Sequence, residues 1–121
     1  MNDEIRISND IVFDEYKNSV GEIISTARRD KDLLMTAKMM AKLYGVDVST
    51  IRKQLNTIFD EKVLAKKSVS EIIAHRAGDG KLYETRYYDE TVIFELARRL
   101  RSDEAKILRE WLDGRISALW R

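Results

Sequence analysis

The sequence holds no cysteine and no proline. Without thiols there are no disulfides and no thiolate metal sites, and a reducing compartment is the simplest setting. Without proline, nothing covalent breaks a helix or removes an amide donor from a strand. Histidine occurs once, at His75. A lone imidazole with no cysteine partners makes no recognisable zinc site. No apolar run approaches the roughly 20 residues that a bilayer span requires, and the opening MNDEIRISND lacks a basic segment followed by an apolar one. The expectation is a cytoplasmic protein without cofactor or metal.

What the chain does have is charge. Charged residues make up 36% of its 121 positions, and hydrophobic residues 44%. That composition fits one domain, 1–121, with a real core and a heavily charged surface. Lys and Arg number 22 against 21 Asp and Glu, a net charge of +1. Such balance argues against indiscriminate binding to polyanions. Any nucleic-acid contact must come from where the cations sit.

Four regions are readable, with no internal repeat and no linker. In residues 1–35, Phe13, Tyr16, Val20, Ile23 and Ala27 have helical spacing. The segments GEIIST and LLMT, around the charged ARRDKD, fit a hairpin equally, and the hairpin is preferred because Gly21 weakens a helix by about 1 kcal/mol. Residues 36–60 form two short helices. Thr36 is a good N-cap for AKMMAKLY, Gly45 ends that helix, and Asp47 is expected to cap the next. In residues 66–88, KSVSEIIAHR and LYETRYY flank AGDGK, a strong turn, and predict a β-hairpin. Val69, Ile72, Ile73 and Arg76 also share a helical face, so the first arm has a helical alternative. Residues 90–121 are two helices. Val92, Ile93, Leu96, Ala97 and Leu100 line one. Ser102 starts the other, with a stripe through Ile107, Leu108, Trp111, Leu112, Ile116, Leu119 and Trp120. The acidic pairs Asp60-Glu61, Asp89-Glu90 and Asp103-Glu104 fall at helix boundaries, where the helix dipole accounts for them.

The stretch AKLYGVDVSTIRKQL carries the functional reading. A helix-turn-helix needs a small residue where its helices touch, a tight turn and a buried residue just after it. Ala41, Gly45 and Val46 supply these. The second helix buries Val48, Ile51, Leu55 and Ile58 at steps of three, four and three. Its opposite face presents Ser49, Arg52, Lys53 and Asn56, flanked by Thr50 and Thr57. From Val48 to Phe59 there is no carboxylate, in a chain otherwise dense with them. A helix in the major groove must avoid anions near phosphates and offer donors to base edges. Arg52 suits guanine O6 and N7, Asn56 suits adenine, and Lys53 and the hydroxyls suit phosphates. The competing reading is a plain helical hairpin with a polar outer face.

A helix-turn-helix followed by a β-hairpin is the order of a winged helix, whose wing reaches the DNA backbone with basic residues. Arg76 and Lys81 flank the hairpin turn, Arg86 lies further along, and Lys62, Lys66 and Lys67 add charge on the approach. A solvated structural hairpin is the alternative. No enzyme is expected. Gly80-Lys81 lacks both the upstream glycine and the following hydroxyl of a phosphate loop, and no nucleophile-base pair stands out. Tyr87 and Tyr88 are assigned to packing.

The stretch LLMTAKMMAKLYGVDVSTIRKQLNTIFDEKVL, followed by SVSEIIAHRAGDGKLYETRYYD, resembles the virulence-associated RhuM family of bacterial proteins. The similarity runs from about Leu34 to Trp111. It rests on Gly45-Val46, Ser49-Thr50-Ile51, Asn56-Thr57-Ile58-Phe59, Ala74-His75, Gly78-Asp79-Gly80-Lys81, Tyr87-Tyr88, Arg99, Ser102 and Arg109-Glu110-Trp111. Residues 1–30 do not follow the family pattern. Family members are longer, so a short relative or an N-terminal piece is expected. The resemblance implies DNA binding tied to mobile or pathogenicity elements, without a target.

The expectation is therefore an α+β winged helix-turn-helix with a mostly helical core, a β-hairpin wing and C-terminal helices. It would be a sequence-specific regulator that reads double-stranded DNA through Ser49, Thr50, Arg52, Lys53 and Asn56, helped by Arg76 and Lys81. The alternative is a protein-interaction module, antitoxin-like or an anti-repressor partner. A single module buries little surface on DNA, so paired half-sites and a homodimer through Trp111, Leu112, Ile116, Leu119 and Trp120 are expected, with intramolecular packing of that stripe as the alternative. Sedimentation checks the dimer: the mass should rise with concentration, and a monomer at every concentration excludes it.

Overall fold

The computed structural model describes residues 5–7, 11–17, 21–76 and 78–110. The C-terminal stripe from Trp111 to Trp120 lies outside the described residues. The fold is mixed α+β. Among the described residues six strands form two small sheets: β1 (Ile5–Ile7), β2 (Val12–Lys17), β3 (Ile23–Arg29), β4 (Asp32–Leu34), β5 (Ser70–Arg76) and β6 (Leu82–Tyr88). Among the described residues five helices accompany them: α1 (Ala37–Tyr44), α2 (Val48–Asp60), α3 (Lys66–Val69), α4 (Glu90–Arg99) and α5, residues 103–110.

The N-terminal region is β, and its hairpin is the one expected. β3 and β4 pair antiparallel, with Arg29 opposite Asp32 across a two-residue loop. Asp30 takes φ 54° there, a conformation that aspartate tolerates better than most residues. The helical alternative fails at Gly21, whose φ of 88° no α-helix can pass through. β2 adds a third strand that the sequence pattern did not predict, pairing antiparallel along the other edge of β3. In the second sheet β5 is central. It pairs antiparallel with β6 and, unexpectedly, parallel with β1. One backbone pair joins the sheets: Met35 N–H donates to Tyr88 O at 2.9 Å, and Tyr88 N–H to Met35 O at 2.8 Å.

The Lys66–Arg76 arm is neither all strand nor a helix. Residues Lys66–Val69 make one helical turn, and the strand begins at Ser70. Ser70 Oγ donates to Lys66 O at 2.6 Å, closing that turn. The turn tucks Val69 into the core.

The helices follow local chemistry. Thr36 Oγ1 accepts from Met39 N–H at 3.1 Å, capping α1. Gly45, at φ 66°, ends it, and Val46 N–H reaches back to Ala41 O at 3.0 Å. α2 then packs against α1. Asp47 occupies the N-cap position of α2, but its side chain makes no cap hydrogen bond, contrary to expectation. Its carbonyl alone opens the helix, accepting from Thr50 N–H at 3.0 Å. Asp89 does cap α4, accepting from Thr91 and Val92 N–H. Ser102 caps α5 through Ala105 N–H at 3.3 Å. Asp60 and Glu61 sit at the carboxyl end of α2. The dipole there disfavours negative charge, so it does not account for this pair.

The main core is largely helical. Met40, Ala41 and Tyr44 of α1, Ile51, Leu55 and Ile58 of α2, and Val92, Ile93, Leu96 and Ala97 of α4 meet Ile24, Met35 and Tyr88. The buried Tyr44 hydroxyl donates to Ile93 O. A smaller cluster of Ala27, Leu34, Ile73 and Tyr87 draws on both sheets. Half-buried Arg29 and Glu71 also tie the sheets, at 2.6 Å.

Two helices end on a left-handed residue, Gly45 for α1 and Lys62, at φ 58°, for α2. A side chain in that conformation costs roughly 1 kcal/mol relative to glycine. Lys62→Gly should therefore raise stability by up to about 1 kcal/mol, and Gly45→Ala should lower it by a similar amount. Denaturant midpoints at unchanged m-value check both signs.

Candidate nucleic-acid interface

The orientation of α2 follows from its apolar stripe. Ile51, Leu55 and Ile58 are buried, and Val48 is half-buried. The opposite side must then face out. Ser49, Arg52, Lys53, Asn56 and Thr57 are all exposed, and Thr50 is half-buried on the flank. Positions 49, 52, 53 and 56 share one helical face. Thr57 Oγ1 donates to Lys53 O at 3.1 Å, so its hydroxyl is engaged by the helix itself. α2 has 13 residues and is about 20 Å long, enough to lie along a major groove. Asp60 and Glu61 mark one end of the carboxylate-free face, and Asp47 the other.

The hairpin tip is less basic than its sequence suggests. Arg76 and Lys81 are exposed there, as expected. Arg76 Nη1, however, donates to Gly80 O at 2.8 Å and braces the turn. Asp79 accepts from Lys81 N–H at 2.9 Å and from Tyr83 O–H at 2.6 Å. The Tyr83 hydroxyl, and then the Lys81 N–H, hold the Asp79 carboxyl below its usual pKa, keeping an anion between the two cations. Along β6, four residues of strand, about 13 Å, separate Leu82 beside the turn from Arg86.

It is the base of the hairpin that meets the helix pair. A cleft of about 340 Å³ opens between α1, α2 and β6. Lys38 lines it beside Thr36 and Ala37 at the amino end of α1, Arg52 enters from α2, and Thr85 and Arg86 come from β6. Tyr88 forms another wall. Burial pushes the Tyr88 phenol up, while the positive charges of Arg86 and then Arg52 oppose the rise. Both guanidinium groups are thus close enough to act on one side chain. Arg86 Nη1 donates to Ser70 Oγ at 2.8 Å, which fixes it at the foot of the strand.

Of the sequence-chosen residues, Ser49, Arg52, Lys53 and Asn56 share one face of α2, and Arg76 and Lys81 sit at the hairpin turn. The structure adds Lys38 and Thr85, which sequence reasoning missed, and moves Arg86 from the wing to the helix pair. Lys38 carried one signal: it lies two residues after the Thr36 cap, in a first turn without acidic residues. Among the described residues no cluster of three or more His, Asp or Glu is placed to hold a metal ion, and no helix is long and apolar enough to cross a membrane. In comparisons with protein families, curated proteins and solved structures, nothing matches the chain.

Proposed function

We propose that the protein binds double-stranded DNA as a winged helix-turn-helix regulator, with α1 and α2 as the helix pair, α2 in the major groove and the β5–β6 hairpin as the wing. The observation that carries this reading is the exposed face of α2: from Ser49 to Thr57 it is a stripe of cations, hydroxyls and an amide, with the first carboxylate, Asp60, only at the last residue of the helix. A solvated helix in so charged a chain would carry both signs. Ser49, Arg52, Lys53 and Asn56 present donors where base edges and phosphates lie. The resemblance to the RhuM family adds a setting, regulation of a bacterial mobile or virulence-associated element.

A second reading has its own observation. Val12, Phe13 and Ile23 are 43%, 56% and 56% exposed on the β2–β3 pair. Exposed apolar groups at a sheet edge suit a protein partner, and an interaction module would use them instead of α2.

Salt separates the two. With about four phosphate contacts, duplex affinity should fall about a hundredfold between roughly 50 and 200 mM salt. Arg52→Ala should weaken binding without lowering the melting temperature. Fluorescence anisotropy with a labelled duplex measures both. Affinity independent of salt, or unchanged in Arg52→Ala, contradicts the reading.

A further inference from the structure

Arg52 is the one residue shared by the outward face of α2 and the cleft at the hairpin base. Its neighbours in that cleft are two further cations, Lys38 and Arg86, from two other elements, and the hydroxyl-bearing Thr85. No carboxylate lines the cleft among the described residues. Cationic donors from three elements on the walls of one cleft are an arrangement that an anion can engage. Guanidinium groups bind phosphate oxygens through paired N–H donors, with Lys38 as a point charge on the third side. The amino end of α1 adds its partial positive charge at the same rim.

We propose that this cleft seats a backbone phosphate of the bound duplex, and that Arg52 serves that phosphate instead of a base edge. Base reading then falls to Ser49, Lys53 and Asn56, which follow one another along α2 at steps of four and three. Arg86 acts with Lys38 and Arg52 as a clamp that fixes the register of α2 in the groove. This rests on the duplex-binding reading above, which names the source of the phosphate; the cleft itself calls only for a phosphoryl group.

The experiment has two arms on the full chain. In the first, duplexes are selected from a random pool by the wild type and by Arg52→Ala, Lys38→Gln, Arg86→Lys and Asn56→Ala. The first three should each lose affinity by the same factor on every sequence, about tenfold for Arg52→Ala, lower the salt slope by about one and leave the selected sequence unchanged. Asn56→Ala should change the selected sequence. Thermal melts show that each variant folds; Arg52 and Lys38 are surface residues, so their variants keep the test open even if Arg86→Lys unfolds. The clamp is overturned if Arg52→Ala relaxes preference at one base position while Lys38→Gln is silent. In the second arm, the ³¹P line of inorganic phosphate is followed as protein is added. It should broaden with wild type and not with the Arg52→Ala, Lys38→Gln double variant. Phosphate broadening without any duplex binding overturns the backbone source and points to a free phosphoryl ligand. Duplex binding that survives unchanged in the double variant overturns the clamp and leaves the duplex reading standing.

Discussion

Two reciprocal backbone hydrogen bonds between Met35 and Tyr88 hold the parts of this fold in register. They join the backbone of the β2–β3–β4 sheet to that of the β1–β5–β6 sheet, beside the Arg29–Glu71 ion pair and the Ala27, Leu34, Ile73 and Tyr87 cluster. Everything that forms the candidate site is hung from this junction. Thr36 follows Met35 and caps α1, so the start of that helix is placed beside the end of β6. Tyr88 also lies against α2, its ring stacked on Phe59 with centroids 6.2 Å apart. One residue on, Asp89 caps α4, whose buried side supports α2 from below. Lys38 and Arg52 come from the consecutive helices α1 and α2 and Arg86 from the distant strand β6, and this junction is what brings Arg86 to the helix pair.

The second constraint is the division of α2 into two sides. Burying Ile51, Leu55 and Ile58 is worth several kcal/mol in hydrophobic transfer alone, and it fixes the rotation of the helix. The outer side cannot turn inward without exposing those residues. Electrostatics then separates this side from the rest of the surface. Elsewhere several cations are matched: Arg28 meets Asp14 at 2.7 Å, Arg29 meets Glu71, and Arg99 meets Glu95 at 2.9 Å. On α2 such partners are kept to the ends, at Asp47 and Asp60. Within a chain of net charge +1, the run from Val48 to Phe59 is thus a stretch with cations and no anion.

The legible parts of the fold were those decided within a few residues. Thr36, Gly45 and Ser102 punctuate helices through side-chain or backbone chemistry that the sequence displays directly. The stripes of α2 and α4 are periodic and were found for that reason. The Asp79-Gly80 turn follows from a glycine that accepts an unusual backbone angle, whereas the tight Asp30 loop inside ARRDKD was not singled out. What stayed hidden depends on distant partners. The parallel pairing of β1 with β5 and the edge pairing of β2 leave little mark on either strand alone. Ser70 ends a helical turn and starts a strand because its hydroxyl reaches Lys66 O, which no periodicity shows. Asp47 looked like a cap and is one only through its carbonyl. The cleft was the least visible feature, since Lys38 and Arg86 are neighbours only after the Met35–Tyr88 junction forms. Their meeting also changes what the hairpin contributes: its base faces the helix pair, while its tip keeps an anion at Asp79 held by Tyr83.

The central claim is that one face of α2, together with the cleft beside it, lies against duplex DNA. Backbone amide shifts of isotopically labelled protein, followed as a duplex is added at low salt, test it most directly. The expected result is a contiguous set of perturbed amides at Lys38, Ser49, Arg52, Lys53, Asn56 and Arg86. Perturbations confined to Val12, Phe13 and Ile23, or none at a stoichiometric amount of duplex, would contradict it.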